Sequence, residues 1–251
     1  MGFIGYRVKA LAAKLVPFDV PMPTVLMYHA VVDDVENPFV SVRPADFAAQ
    51  LQALRRAGRR FVTMDTVAAA CRDGAALPPD AVCVTFDDGN LDNLEVALPV
   101  LERLDIPATI YVATALCEAE QNNGTMCSPA QIATLARHPL ITIGGHGHRH
   151  VRLARLSPEE AALDIVEGKR RLEDWCRVAP RHFAYPFGSN NPAVREAVRE
   201  AGYVTAVTTR RGSCADDSDP YGIGRIGVYR FTRPWMMSAV CGRRFLRFNG
   251  G

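Results

Sequence analysis

The chain has 251 residues, 48% hydrophobic and 22% charged, which suffices for one barrel-sized core or two small domains and excludes collagen, coiled coil, mucin and bulk disorder. Its 29 Lys and Arg against 27 Asp and Glu leave a net charge of +2, too even for a protein whose main partner is nucleic acid, so a small-molecule or sugar partner is expected. The cysteines number 7, odd and without any C-x-x-C, which suggests reduced thiols rather than a disulfide framework or a zinc ribbon.

Residues 1–23 read as a basic amphipathic segment set apart from a catalytic domain over 24–251. Ile4, Val8, Leu11 and Leu15 recur at helical spacing, Arg7, Lys9 and Lys14 lie off that stripe, and Pro17, Pro21 and Pro23 close it. An end helix packed on its own domain is the expected role, with contact at a membrane surface as the alternative. Lys9 and Lys14 enclose only Ala10, Leu11, Ala12 and Ala13, so neither a secretory signal nor a membrane span is read here, and a cytoplasmic location, at most peripheral to a membrane, is expected.

From Pro23 onward apolar runs alternate with amphipathic ones. Val25 to Tyr28 reads as a strand, Pro44 to Gly58 as a helix, Ala81 to Phe86 as a strand and Leu91 to Leu104 as a helix. Ala108 to Val112, a Ser128-capped helix, Ile141 to Ile143 and a long helix opened by Ser157-Pro158-Glu159-Glu160 follow. His182 to Ala184, a helix from Pro192 to Ala201, Tyr203 to Val207 and Ile226 to Tyr229 complete the series. About seven short strands separated by helices imply parallel pairing, in an α/β barrel or an open doubly wound sheet. Both architectures put their chemistry at the C-terminal ends of strands.

The polar residues fall at those ends. Asp87 and Asp88 follow the strand Val82 to Phe86 directly and precede Gly89. Carboxylates that close repel, and a divalent cation bound by one leaves the other free as a base. Alone, the triplet would read better as a turn capping the next helix. Strand Ile141 to Ile143, however, runs into Gly144-Gly145-His146-Gly147-His148-Arg149-His150, where glycines let the backbone bend and His146 and His150, four apart, meet on one side of a turn. Two imidazoles and one carboxylate leave positions open for water and substrate, the pattern of a catalytic rather than a structural site. Tyr185-Pro186-Phe187-Gly188 closes a further strand in a turn with exposed backbone N–H groups.

Thr85-Phe86-Asp87-Asp88-Gly89, the His146–His150 pair and Tyr185-Pro186-Phe187-Gly188, in that order, resemble the motifs of the polysaccharide deacetylase family, also called NodB-homology proteins or family 4 carbohydrate esterases. The resemblance runs from about Val25 to Val228. It implies a distorted (β/α)7 barrel and metal-dependent removal of N-acetyl groups from N-acetylhexosamine units of a polysaccharide, oligosaccharide or glycolipid precursor. By position, Asp87 matches the general base, and Asp88, His146 and His150 match the ligands of a divalent metal, usually zinc. The backbone N–H of Phe187 matches the oxyanion donor, and Tyr185 is expected on the same substrate-binding surface. The implied chemistry is a polarised amide carbonyl, a water that loses its proton to Asp87, a tetrahedral oxyanion and an acid that protonates the departing amine.

The chain departs from the family pattern at Ala184, where many members place an arginine that buttresses the base, and at Gly147, where Ser or Thr often follows the first histidine. No histidine occurs after His182, so the C-terminal Leu-x-His motif that supplies the acid is missing. His29, ending the strand Val25 to Tyr28, resembles the acid histidine of a circularly permuted branch. First and last strands of a closed barrel are neighbours, so an acid from either end reaches one pocket. Beyond Asp219 there is no acid, yet Arg225, Arg230, Arg233, Arg243, Arg244 and Arg247 occur, a basic end suited either to an anionic polymer or lipid headgroup or to folding back on Asp216-Asp217-Ser218-Asp219. Another metal-dependent amidase or esterase on the same scaffold, and a catalytically silent carbohydrate-binding relative, are the alternative readings.

Overall fold

A computed structural model describes residues 21–33, 38–119, 124–213 and 219–243. The expected N-terminal helix, Asp216 to Ser218 and Arg244 and Arg247 of the basic end lie outside the described residues.

Strands β1 (Thr24–Tyr28), β2 (Ala30–Val31), β3 (Ser41–Val42), β4 (Arg60–Phe61), β5 (Ala81–Phe86), β6 (Ala108–Val112), β7 (Ile141–Gly145), β8 (His182–Ala184), β9 (Thr205–Val207) and β10 (Ile226–Gly227) occur in chain order. One sheet runs β10-β1-β5-β6-β7-β8-β9 with β4 added to β5, and every pairing in it is parallel. All six residues of β5 and all five of β1 are buried, as befits a parallel sheet covered on both faces. The two sheet edges meet on one short segment. Ile223 bridges to Val207 of β9, and three residues later Ile226 pairs with Leu26 of β1. The sheet therefore curls into the expected distorted barrel and is not an open doubly wound sheet.

Helices pack outside. In α1 (Pro44–Arg56), proline opens the first turn and Phe47, Gln50, Leu51 and Leu54 face inward at helical spacing. The expected S-x-x-E/Q signals are realised as capping boxes: Ser128 with Gln131 opens α5 (Pro129–Ala136), and Ser157 with Glu160 opens α6 (Pro158–Cys176). The helix expected over 91–104 is wider at its start, a π turn over Asn93–Ala97 leading into α3 (Leu98–Leu104). Pro99 has no N–H to close the ordinary bond onto Glu95, which permits the wider turn. Periodicity did not disclose α2 (Met64–Asp73), capped by Thr63 and ended by Gly74 at φ 65°, nor the short α4 (Thr114–Glu118). Strands β2, β3 and β4 have two residues each, too few for an alternation to register. Helices α7 (Pro192–Glu200) and α8 (Met237–Val240) complete the described elements. No helix among the described residues is long and apolar enough to cross a membrane.

Candidate active site

Asp88, His146 and His150 converge where β5 and β7 end. Their ligand atoms lie within 4.8 Å of one another. Asp88 Oδ1 is 3.5 Å from His146 Nε2 and 3.2 Å from His150 Nε2. His146 Nδ1 donates to the Ala184 carbonyl at 2.7 Å, which fixes the tautomer that leaves Nε2 with a free lone pair. Oδ1 of Asp88 is buried and has no hydrogen-bond partner among the described residues. A buried carboxylate oxygen facing two imidazole nitrogens is costly unless a cation sits among them. Two neutral nitrogens and one anionic oxygen suit a borderline divalent ion, so the residues fit the expected metal.

The backbone is bent to make this convergence. Among the described residues five non-glycine positions have positive φ: Asp105 and Arg177 end helices, while Asp88 (78°), His150 (54°) and Phe187 (58°) belong to the site. Such conformations cost about 1–3 kcal/mol each and persist where the surroundings hold them. The strand end before His146 must be glycine for a separate reason. A Cβ on Gly144 would stand 2.5 Å from the Tyr111 ring, and one on Gly145 would stand 2.2 Å from the Tyr203 hydroxyl.

Asp87 is 2% exposed and held by a residue that sequence reasoning missed in this role. Arg225, just ahead of β10, donates from both terminal nitrogens to the two Asp87 oxygens at 2.7 Å each, a bidentate fork. Its other bonds run to Thr208 O at 3.0 Å and Thr85 Oγ1 at 3.1 Å, so all three guanidinium nitrogens donate. Burial alone would raise the Asp87 carboxyl. The Arg225 charge and hydrogen bonds, with the charges of His146 and His29, outweigh it and hold the group below its ordinary value. Burial opposes ionisation of Asp88 too, and the His146 and His150 rings facing it outweigh that, leaving the carboxyl well below its ordinary value. Arg225 thus supplies from the β10 side the buttress that Ala184 cannot. The signal was a single charge inside the small and apolar run Gly224-Arg225-Ile226-Gly227-Val228, where a buried partner is to be expected.

Of the arginines of the basic end, three have partners within the described fold. Arg225 is buried on Asp87, Arg230 donates to the Val32 carbonyl at 3.1 Å, and Arg233 pairs with Asp46 at 3.0 Å. Three of the arginines are spent within the fold.

His29 follows β1 at the same barrel end. Its backbone carbonyl accepts from Asn93 Nδ2 at 3.0 Å, and its charge acts on both Asp87 and Asp88. His148 is turned elsewhere, its Nδ1 sharing a hydrogen bond with Thr114 Oγ1 at 2.9 Å. Phe187 is 49% exposed, its ring 4.7 Å from that of His150 and 4.6 Å from the Arg152 guanidinium carbon, so it forms the lip of the site. Tyr185, expected on the substrate-binding surface, is fully buried instead. Its ring packs on Phe183 and its hydroxyl donates to Tyr221 O at 3.0 Å, because the turn directs it into the core and only Phe187 outward.

Comparison with known proteins adds independent findings. A family profile described as Polysaccharide deacetylase matches residues 74–206. The poly-beta-1,6-N-acetyl-D-glucosamine N-deacetylase of Staphylococcus epidermidis is 26% identical over 197 residues, covering 75% of this chain and 68% of that protein. The structure of IcaB from Ammonifex degensii superposes with a TM-score of 0.78 at 28% identity, over 89% of this chain and 99% of that one. The Streptococcus pyogenes deacetylase PplD, solved in complex with acetate, gives 0.75 at 26% identity over 86% and 96% of the two chains.

Proposed function

The chain belongs to the polysaccharide deacetylase family, and on that premise we propose that it hydrolyses the N-acetyl amide of hexosamine units in a polysaccharide with zinc held by Asp88, His146 and His150. The observation that carries the reading is the pair of adjacent carboxylates held differently: Asp88 Oδ1 faces two Nε2 atoms, while both Asp87 oxygens are bound by Arg225. A zinc ion held by these three residues would be a Lewis acid for the amide carbonyl and would make water a better acid. Asp87, ionised beside Arg225, accepts the proton of the attacking water. The Phe187 N–H offers a donor for the oxyanion, and the exposed Phe187 ring lies against one face of the sugar. His29 gives a proton to the departing amine, so that acetate and a free amino sugar leave.

Poly-β-1,6-linked N-acetylglucosamine is the first substrate class to try, because the S. epidermidis relative is named for that polymer. The experiment is metal content together with acetate release from β-1,6-linked N-acetylglucosamine oligomers, for the wild type and for His150→Ala and Asp88→Ala. About one zinc per wild-type chain, lost in both folded variants along with acetate release, is the expected result. Release of acetate only from non-sugar amides or O-acetyl esters would point to a different hydrolase on the same scaffold. A wild type that takes up no metal on dialysis against zinc would remove the hydrolase reading.

A further inference from the structure

The turn between the two histidine ligands lies against α6, and the contact is made by a residue outside the proposed chemistry. Asp164 is buried in the middle of that helix, its side chain 0% exposed. Its Oδ1 accepts the His148 backbone N–H at 2.8 Å, and its Oδ2 accepts the Arg149 backbone N–H at 3.2 Å and Arg149 Nε at 2.7 Å. One carboxylate thus ties down two consecutive amides, and the next residue along the chain is His150. The surroundings are shaped to the same contact. Gly147 is at φ +71°, and a Cβ there would stand 2.7 Å from Asp164 Oδ1. A Cβ on Gly168, one helical turn beyond Asp164, would stand 2.7 Å from the Gly147 carbonyl group. From the opposite side the His148 carbonyl accepts the Ala115 N–H at 2.9 Å, so the turn is clamped between α4 and α6.

A carboxylate inside a helix–loop contact is expensive to bury, and an isolated ion pair does not account for it, because two of its three hydrogen bonds come from backbone amides. The backbone it holds is the piece that sets the separation of His146 from His150, and His150 sits in a left-handed conformation that a free chain leaves readily. We infer that Asp164 is a positioning residue for the metal centre, which holds the His146–His150 turn at the spacing that lets both Nε2 atoms meet Asp88. The inference rests on the metal-site reading above. Asp164 touches neither ring and is no ligand; it acts through the backbone of His148 and Arg149.

The test is zinc affinity by competition with a chromogenic chelator, together with the visible spectrum of the cobalt-loaded protein, for the wild type, Asp164→Asn and Arg149→Ala. An amide offers one acceptor oxygen, so its NH2 must face a donor, and the turn is released on that side. Asp164→Asn is expected to bind zinc about 10–100-fold more weakly, with altered cobalt bands that report a changed ligand geometry. Arg149→Ala leaves both backbone bonds in place and is expected within about threefold of wild type. Asp164→Ser, smaller and with one acceptor oxygen, carries the same expectation as Asp164→Asn should that variant fail to fold. Wild-type affinity and spectrum in the folded Asp164 variants would overturn the inference and leave the metal site standing. An equal loss in Arg149→Ala would overturn it by assigning the effect to the half-exposed ion pair. A wild type that binds neither ion removes the reading on which the inference rests.

Discussion

Arg225 and Asp87 are buried charges that satisfy each other, and a double-mutant cycle measures that dependence directly. In Arg225→Met the fork on Asp87 disappears, along with the bonds to Thr85 and Thr208, and the carboxylate stays inside the barrel without a countercharge. Breaking one partner of a buried pair costs about 3–5 kcal/mol, most of it the penalty for the charge left behind. For a domain of this length that lowers the melting temperature by roughly 6–20 °C. Asp87→Asn strands Arg225 in the same way, and its cost is of the same order. In the double variant no net charge remains to be stranded, so its loss should be smaller than the sum of the single losses by at least about 2 kcal/mol. The assay is urea unfolding at neutral pH with a chelator present, so that metal binding does not enter the free energies. Activity is no guide here, because all three variants lack either the proposed base or the arginine that holds it. Losses that simply add would refute the reasoning, since they would mean that each side chain is held by its surroundings and not by the other. Arg225→Lys belongs in the same series: it keeps the charge and loses the planar fork, and is expected between wild type and Arg225→Met.

Three shorter predictions test other parts of the structure. His29→Gln should lower acetate release by about 10²–10⁴-fold with metal content unchanged, and undiminished release would remove His29 from the role of acid. Gly145→Ala places a Cβ 2.2 Å from the Tyr203 hydroxyl and should destabilise the fold by about 1–3 kcal/mol, part of which Tyr203→Phe recovers in the double variant. His182 is fully buried against Thr205 Oγ1 at 2.9 Å, and burial pulls its pKa down from 6.5 to about 4. Between those values the unfolded chain binds a proton that the folded chain refuses, so this contribution is complete above pH 6.5 and is lost as pH falls toward 4, by up to about 3 kcal/mol. Stability measured from pH 7 to pH 4 should fall less steeply in His182→Leu than in wild type, and parallel curves would contradict the assignment.

What the sequence discloses and what it hides divide along contact distance. The strand Ala81 to Phe86 is legible because burial on both faces demands an unbroken apolar run, and the starts of α5 and α6 are legible because a cap is a matter of residues three apart. The Asp87-Asp88 and His146–His150 groups could be read for the same local reason, each lying immediately past a strand whose end faces the site. Arg225 meets Asp87 across 138 positions of chain, through a barrel closure that no window of sequence contains. Counted with its neighbours in sequence it looked like one of several surface arginines.

Asp164 was hidden differently, because its placement was written locally and went unread. The buried positions of α6 are Ala161, Asp164, Ile165, Gly168 and Leu172, which is a single helical stripe with a carboxylate and a glycine in its middle. An acid on the solvent side of a helix needs no partner. An acid on the buried stripe needs donors, and a glycine one turn later means that a backbone comes close enough to provide them. The turn that comes close is the one carrying His148 and Arg149, which has donors to offer because its bend leaves those two amides out of the strand ladder. The same logic applies to Arg225 in its apolar run: a charge at an inward position of a regular element implies an opposite charge or a bent backbone facing it. In a barrel whose interior ends in a candidate metal site, both kinds of partner belong to the turns that carry the candidate residues.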